Sequence, residues 1–496
     1  TSALIYYYMS DAKDTKDAKS NLDAIPLRYQ GVSSRFTYGY KDRYLLDANF
    51  GYTGSENFQP GRQYGFFPSV ALGWVPSSYE FLKESAPWLD YFKIRASYGS
   101  VGNDRISSIR FPYLTKVNQG NSNLGDGTDV WGIGGIETVN ETRIGADNLA
   151  WERAIKTNIG FEGKLFNNKV DFVFDIFKDM RNGIFQQRVQ VPDYVGVISN
   201  PFANVGRMQS SGADGNISYK GRITSDLDFT VRGNFTYSKT MVKNWEQAYL
   251  EYPYLEYNNF PHNSIRGLEA IGLFKDEDDI KYSPQQTFGA VMPGDIKYKD
   301  VNGDGMIDNL DKVPLTHSDE LPLIMYGFGG EFRYKKLSLG VLFKGTGSSP
   351  FFYGGIGYRP FYEGALGNVL DIVADPANRW IPMDYAMANG IDPSLAENPN
   401  AKFPRLSYGG STNNNQTSTF WQGDAKYIRL QEVTISYNVN PNFLRKAGIK
   451  SLDLQFVGNN LYTWDTVKIF DPEQARFNGR RYPIPSTYSV QVYVNF

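Results

Sequence analysis

The sequence predicts an all-β protein, an antiparallel transmembrane β-barrel of about 14 strands with long loops on one side. Three observations predict it. Apolar and polar side chains alternate strictly over strand-length segments, the chain is rich in aromatic residues, and the links between segments alternate between short and long. The 496 residues are 15% aromatic, with 35 Tyr, 33 Phe and 8 Trp, although the mean hydropathy is only −0.43. A soluble domain has little use for that much Tyr, whereas a barrel needs aromatic girdles at both lipid interfaces.

The alternation is read residue by residue. Phe229, Val231, Phe235 and Tyr237 share one side of their segment, and Thr230, Arg232, Asn234, Thr236 and Ser238 share the other. Ile155, Thr157, Ile159 and Phe161 oppose Lys156, Asn158 and Glu162, and Phe92, Ile94, Ala96 and Tyr98 oppose Lys93, Arg95 and Ser97. The last residues repeat the pattern, with Tyr488, Val490, Val492, Val494 and Phe496 against Ser489, Gln491 and Asn495. A two-residue period with one apolar face is the antiparallel strand pattern. It places strands near 2–9, 27–41, 43–55, 64–75, 88–101, 149–164, 168–181, 204–220, 226–242, 324–335, 336–346, 424–439, 450–463 and 484–496.

A half-solvated soluble sandwich shares this period, so the links decide. Lys41-Asp42, Asn167-Asn168, Lys220 to Ser225 and Lys335-Lys336 read as tight turns, with 76–87 and 440–449 of modest length. The intervening links, 102–148, 182–203, 243–323, 347–423 and 464–483, are mostly long. Short turns at one end and long loops at the other are the rhythm of an outer-membrane barrel, with the short turns periplasmic. No apolar run reaches the roughly 18 residues of a spanning helix, so a spanning chain must close its backbone hydrogen bonds between strands.

Charge and composition exclude other classes. Net charge is −2, without the basic field that binds nucleic acid. Cys is absent, which removes disulfides, zinc-thiolate sites and thiol nucleophiles. Thr1 opens the chain with no charged or apolar leader, so a signal peptide is expected to have been removed or to lie upstream. Fourteen strands close alone or belong to a larger barrel of about 22 strands around a plug; the second is the expectation here.

Six segments, in one order, carry a family resemblance: Gly65 to Ser77 (GFFPSVALGWVPS), Leu89 to Asp104 (LDYFKIRASYGSVGND), Gly294 to Asp308 (GDIKYKDVNGDGMID), Ala425 to Tyr437 (AKYIRLQEVTISY), Gly458 to Glu473 (GNNLYTWDTVKIFDPE) and Tyr482 to Phe496 (YPIPSTYSVQVYVNF). The chain resembles the SusC/RagA family of TonB-dependent outer-membrane importers, over the C-terminal half of the barrel. The final aromatic Phe496 is similar to the signal that barrel-assembly machinery reads. The resemblance implies that residues 1–496 are barrel, with the N-terminal plug and TonB box outside this chain. It implies an outer-membrane location with extracellular loops, contact with outer-membrane lipids, a SusD-like surface lipoprotein as partner and coupling to TonB-ExbB-ExbD through the N-terminal half. The cargo it implies is a nutrient oligomer, glycan or peptide. A passive channel or structural barrel is the alternative, and a barrel-embedded hydrolase a third.

Chemistry-bearing candidates are few. Asp300, Asn302, Asp304, Met306, Asp308 and Asp311 have calcium-loop spacing, with Met306 offering its carbonyl and Gly305 the sharp turn. A structural Ca²⁺ is the expectation; the bland reading is a chain of Asx-turns. Aromatic residues crowd two loops: Trp245, Tyr249, Tyr252, Tyr254, Tyr257 and Phe260, then Phe351, Phe352, Tyr353, Tyr358, Phe361 and Tyr362. Of these, Trp245, Tyr252, Tyr254, Tyr257, Phe351, Phe352, Tyr358 and Tyr362 are the substrate-binding candidates, with loop self-packing as the bland reading. The acidic run Asp276 to Asp279 reads as a solvated face. Only His262 and His317 exist, with no HExxH or GxSxG near them, so no catalytic residue is assigned and no enzyme is expected.

Overall fold

A computed structural model of the chain describes residues 1–12, 25–105, 110–122, 136–146, 148–192, 194, 199–318, 321–355, 357–361, 369–439 and 448–496. Fourteen strands form one antiparallel sheet in which spatial order follows chain order without a crossover. They are β1 (Ser2–Ala12), β2 (Leu27–Tyr40), β3 (Tyr44–Ser55), β4 (Tyr64–Trp74), β5 (Leu89–Asn103), β6 (Glu152–Leu165), β7 (Val170–Gln187), β8 (Phe202–Thr224), β9 (Leu227–Asn244), β10 (Ile324–Tyr334), β11 (Leu337–Gly347), β12 (Tyr427–Val439), β13 (Ser451–Asp465) and β14 (Thr487–Asn495). In that order β1 has one neighbouring strand, β2, and β14 has one, β13. Every strand expected from the alternation is present.

The tight links are built from left-handed residues. Lys41 and Asp42 both take positive φ (50° and 52°), which lets a two-strand ribbon keep its twist through the β2–β3 turn. Phe166, Asn167 and Asn168 do the same between β6 and β7, and Lys335 between β10 and β11. Two link boundaries are corrected. Arg222, Ile223 and Thr224 stay in β8, so the turn expected over 220–225 is Ser225-Asp226. Likewise β7 runs on to Gln187, which shortens the link expected at 182–203. Of the 440–449 link, residues 440–447 lie outside the described residues.

The chain divides into two compact units, Thr1–Gly215 with Thr240–Tyr249 and Tyr257–Asn259, and Asn216–Lys239 with Leu250–Glu256 and Phe260–Phe496. In the first unit β4 shows what the strands do with their apolar side. Tyr64, Phe66, Pro68, Val70, Leu72 and Trp74 are the exposed residues, while Phe67, Ser69, Ala71 and Gly73 between them are half-buried. Leu72 is 58% exposed. A soluble sheet does the reverse, burying its apolar face and wetting the polar one. From Tyr64 to Trp74 is ten steps, about 34 Å of strand at roughly 3.4 Å each. At a tilt near 40° that projects to about 26 Å, the height of an apolar band between aromatic girdles.

The second unit repeats the arrangement. The β9–β10 register sets Phe229 opposite Phe332 and Phe235 opposite Tyr326, with the Phe229 and Phe332 rings stacked 6.2 Å apart. Thr230, Arg232 and Asn234 fall opposite Glu331, Gly329 and Gly327 on the other face. In β14, Val490 and Val492 are 75% and 57% exposed. No helix among the described residues is long and apolar enough to cross a membrane.

A second kind of structure lies between the strands of this unit. Short ladders join Arg266–Gly267 to Val313–Pro314, Ala270–Leu273 to Ile296–Tyr298, and Gln285–Gln286 to Met306–Ile307, while Pro350–Phe352 pairs with Gln422–Asp424. They enclose a conventional core of Leu268, Leu273, Ile296, Tyr298, Ile307, Val373, Trp380, Phe403 and Trp421. Phe403 is 1% exposed.

Candidate functional site

Two surfaces can act on a solute: the polar face of the strands and the loop assembly. In the first unit the polar face holds an ion cluster. Arg95 on β5 donates from Nε to Glu162 Oε1 at 2.7 Å, from Nη1 to Asn158 Oδ1 at 3.3 Å and from Nη2 to Asp175 Oδ2 at 2.6 Å. Asp175 lies on β7, so the guanidinium crosses β6, and Gly160 makes the crossing possible. A Cβ there would sit 2.6 Å from Asp175 Oδ1 and 2.7 Å from Arg95 Cζ. Lys93 adds a second cation 3.5 Å from Glu162. In the second unit Thr230, Arg232, Glu331, Ser338, Glu432 and Thr434 line a polar concavity of about 350 Å³.

The long link after β9 is fastened at two points near its start. Glu246 takes hydrogen bonds from Arg188 Nε and from the N–H groups of Val189 and Gln190. Burial alone would raise its pKa, but Arg188 and those two N–H groups together hold it below the usual Glu value. Further along, Tyr254 donates to the Leu310 carbonyl at 2.8 Å and ties its segment to the 300–311 loop. Another clamp closes the chain end of the assembly: Arg429, 1% exposed, pairs with Asp471 at 2.6 Å and Glu473 at 3.2 Å, and Lys344 reaches Glu473 at 2.9 Å.

The aromatic candidates separate by burial. Tyr252 and Tyr254 stack on one another with centroids 5.5 Å apart. Tyr257 is exposed, and the Trp245 backbone N–H donates to Asn258 Oδ1 at 2.7 Å. Phe351 and Tyr358 are corrected. Phe351 is buried with Ala425, Val467 and Ala475, and Tyr358 is packed against Tyr353, Phe403 and Trp421. Buried rings present no face to a ligand; these two hold loops together. Phe352 is half-buried in the short strand that pairs with Gln422, and Tyr362 lies outside the described residues.

The 300–311 loop is a run of Asx-turns. Asp300 accepts from the N–H groups of Gly303 and Gly305, Asn302 from Asp304, and Asp304 from Met306. Asp308 accepts from Leu310 N–H, and buried Asp311 accepts from Val301 and Asp308 N–H groups. Gly303 and Gly305 take the positive φ that the loop needs. Among the described residues no three carboxylates are gathered as a metal-ligand set, and none of these four acids has a cation at ion-pair distance. Lys299 is spent on Glu269, and Lys312 lies over the Phe288 ring.

No family model matches the chain. It is 26% identical over 456 residues to TonB-dependent receptor P3 of Formosa agariphila, covering 89% of this chain and 42% of that one. Against the TonB-dependent receptor SusC of Bacteroides thetaiotaomicron it is 20% identical over 497 residues, covering 99% and 46%. The chain resembles the C-terminal half of a SusC/RagA-like receptor. Among solved structures, the RagAB peptide importer in its open-open state superposes with a TM-score of 0.73 at 19% identity, covering 95% of this chain and 47% of that chain. The fold is therefore the antiparallel barrel-wall class of TonB-dependent receptors. The chain spans just under half the length of the relatives it matches.

Proposed function

We propose that this chain is wall and loops of an outer-membrane TonB-dependent importer that takes in nutrient oligomers, glycan or peptide. One observation carries the reading: the strands expose their apolar face between aromatic ends and turn their polar, charged face the other way, as a wall between lipid and a wetted lumen requires. The relatives are named TonB-dependent receptors, and the RagAB peptide importer has a similar fold, which supports the importer class. In this reading the loops are extracellular, the unpaired edges of β1 and β14 meet strands of the rest of a barrel of about 22 strands, and TonB-ExbB-ExbD acts through the plug of the whole receptor. A SusD-like lipoprotein covers the loop assembly. The test is uptake by cells of a labelled oligomer, with and without a protonophore. Uptake lost on uncoupling supports the importer, and uptake that survives uncoupling makes the chain a passive channel. Purification in mild detergent without a co-eluting lipoprotein contradicts the partner.

Calcium at 300–311 is a separate proposal, supported by charge alone. Among the described residues the four carboxylates within these twelve positions have no cation at ion-pair distance, and a Ca²⁺ ion would relieve their repulsion. As formed, the side chains are spent on backbone N–H groups and do not converge, so binding requires the loop to tighten. Protease sensitivity of the loop unchanged by chelator, in the unmutated protein and in Asp304→Ala, rejects the site.

A further inference from the structure

The loop assembly of the second unit holds a cavity of about 650 Å³ that none of the roles above uses. Its chemistry is uneven. Trp380 lines it and is 4% exposed, yet its Nε1–H has no acceptor. The ring is not free to turn toward one: its Cγ–Cδ2–Cε3 edge lies against Gly294, where a Cβ would be 2.3 Å away. The other wall donor, Arg405, is already paired with Asp295, its Nε 2.8 Å from Oδ1 and its Nη2 donating to Oδ2 at 3.1 Å. A buried donor left without an acceptor forfeits its hydration, so the walls ask for an oxygen.

The carboxylates ask for something else. Glu277 has no protein partner among the described residues, and Glu397 spends one oxygen on the Met383 N–H at 3.3 Å. Asp276 and Asp384 each give one oxygen to a backbone N–H and lie at ion-pair distance from no cation. Two of the three wall cations are engaged elsewhere, Arg405 with Asp295 and Arg379 over the Tyr385 ring with its Nε toward the Ala374 carbonyl, and the third, Lys275, lies at ion-pair distance from no carboxylate among the described residues. Exposed Met292 and Tyr385 also line the cavity. The cavity thus offers carboxylates for a cation, apolar contact for a stem and one unpaired donor, Trp380 Nε1–H, for a carbonyl.

The geometry points to a subsite for a basic side chain, Lys or Arg, of an extended peptide. Glu277 and Glu397 face the cationic head, Met292 and Tyr385 flank the methylenes, and Trp380 Nε1–H donates to a peptide carbonyl. The inference names a substrate class within the importer reading and rests on it. Binding and uptake are measured separately, so either can fail alone.

The test is titration calorimetry on the full receptor in detergent with three probes: Gly-Lys-Gly, Gly-Glu-Gly and maltotriose. Gly-Lys-Gly is expected to bind at least about tenfold tighter than either of the others, its affinity falling as salt rises. Glu277→Gln and Glu397→Gln, surface changes that keep shape, are each expected to weaken Gly-Lys-Gly about five- to tenfold, since each removes a charge-assisted contact. Trp380→Phe keeps the ring and removes the donor, and is expected to cost a few-fold. Equal affinity for Gly-Glu-Gly, tighter binding of maltotriose, or indifference of Gly-Lys-Gly to both Glu variants overturns the subsite. Gly-Lys-Gly that binds as stated in cells that fail to import it overturns the importer reading and leaves the subsite standing.

Discussion

Within the second unit one chain follows two opposite rules. In β12 and β13, Ile435 and Phe456 are about 40% exposed, whereas Ile296 and Phe403 in the loop assembly are all but sealed. The residue types are the same, so the difference lies in the medium each surface meets. Burying an Ile or Phe side chain from water is worth about 1.5–3 kcal/mol, and the loop core gains that in full. The wall forgoes it, and in water so continuous an apolar face would be an aggregation surface. In lipid it costs nothing. The wall is held by backbone ladders and cross-strand rings, the loop assembly by a core.

That contrast breaks first where the loops are sealed. Phe403→Ala is expected to cost about 3–5 kcal/mol through the cavity it leaves, read as lost amide protection across 266–298 with the strand ladders intact. Loss of protection in β10 and β11 as well would mean that the loop core and the wall fold as one piece. At mid-height of the wall, Val70→Arg is expected to destabilise by about 2–4 kcal/mol in vesicles, while Ser69→Arg on the opposite face changes stability by less than about 1 kcal/mol. Equal penalties at both positions would contradict the two-faced wall.

A smaller effect sharpens the comparison at the fastening of the 188–190 segment. Because the folded state depresses the Glu246 carboxyl, the stability it contributes is present above the unfolded Glu value and is lost as pH falls through the depressed one. Protease cleavage near residues 188–190 should therefore rise on acidification below the ordinary Glu range, and Glu246→Gln should abolish that dependence.

How much of this was legible in the sequence follows from the length of each pattern. Strands of nine or more residues show their two-residue period plainly, and all of them fell near their expected places; Thr224 and Gln187 show that ends are weaker, because a polar residue in a turn and one on the polar face of a strand look alike. The loop ladders were invisible: two to four residues carry no period, and Pro350–Phe352 finds its partner some seventy residues later at Gln422–Asp424. For the same reason Phe351 and Tyr358 read as ligand rings when they are core. The cavity at Trp380 was equally hidden, since Glu277, Met292, Trp380 and Glu397 meet only through the fold. The direction of the wall was not in the alternation either. That pattern is the same whichever face is wet, and it was the aromatic content and the alternation of link lengths, from Lys41-Asp42 to the long loops, that favoured lipid.

The central claim is that direction. The chain has no Cys, so single cysteines at Leu72 and Ala71 can carry a nitroxide label without a background. In liposomes the label at position 72 should collide freely with oxygen, which concentrates in lipid, and scarcely with a water-soluble nickel chelate, and the label at 71 should do the opposite. Equal accessibility at the two positions, or the reverse order, would contradict a wall whose exposed apolar face meets the membrane.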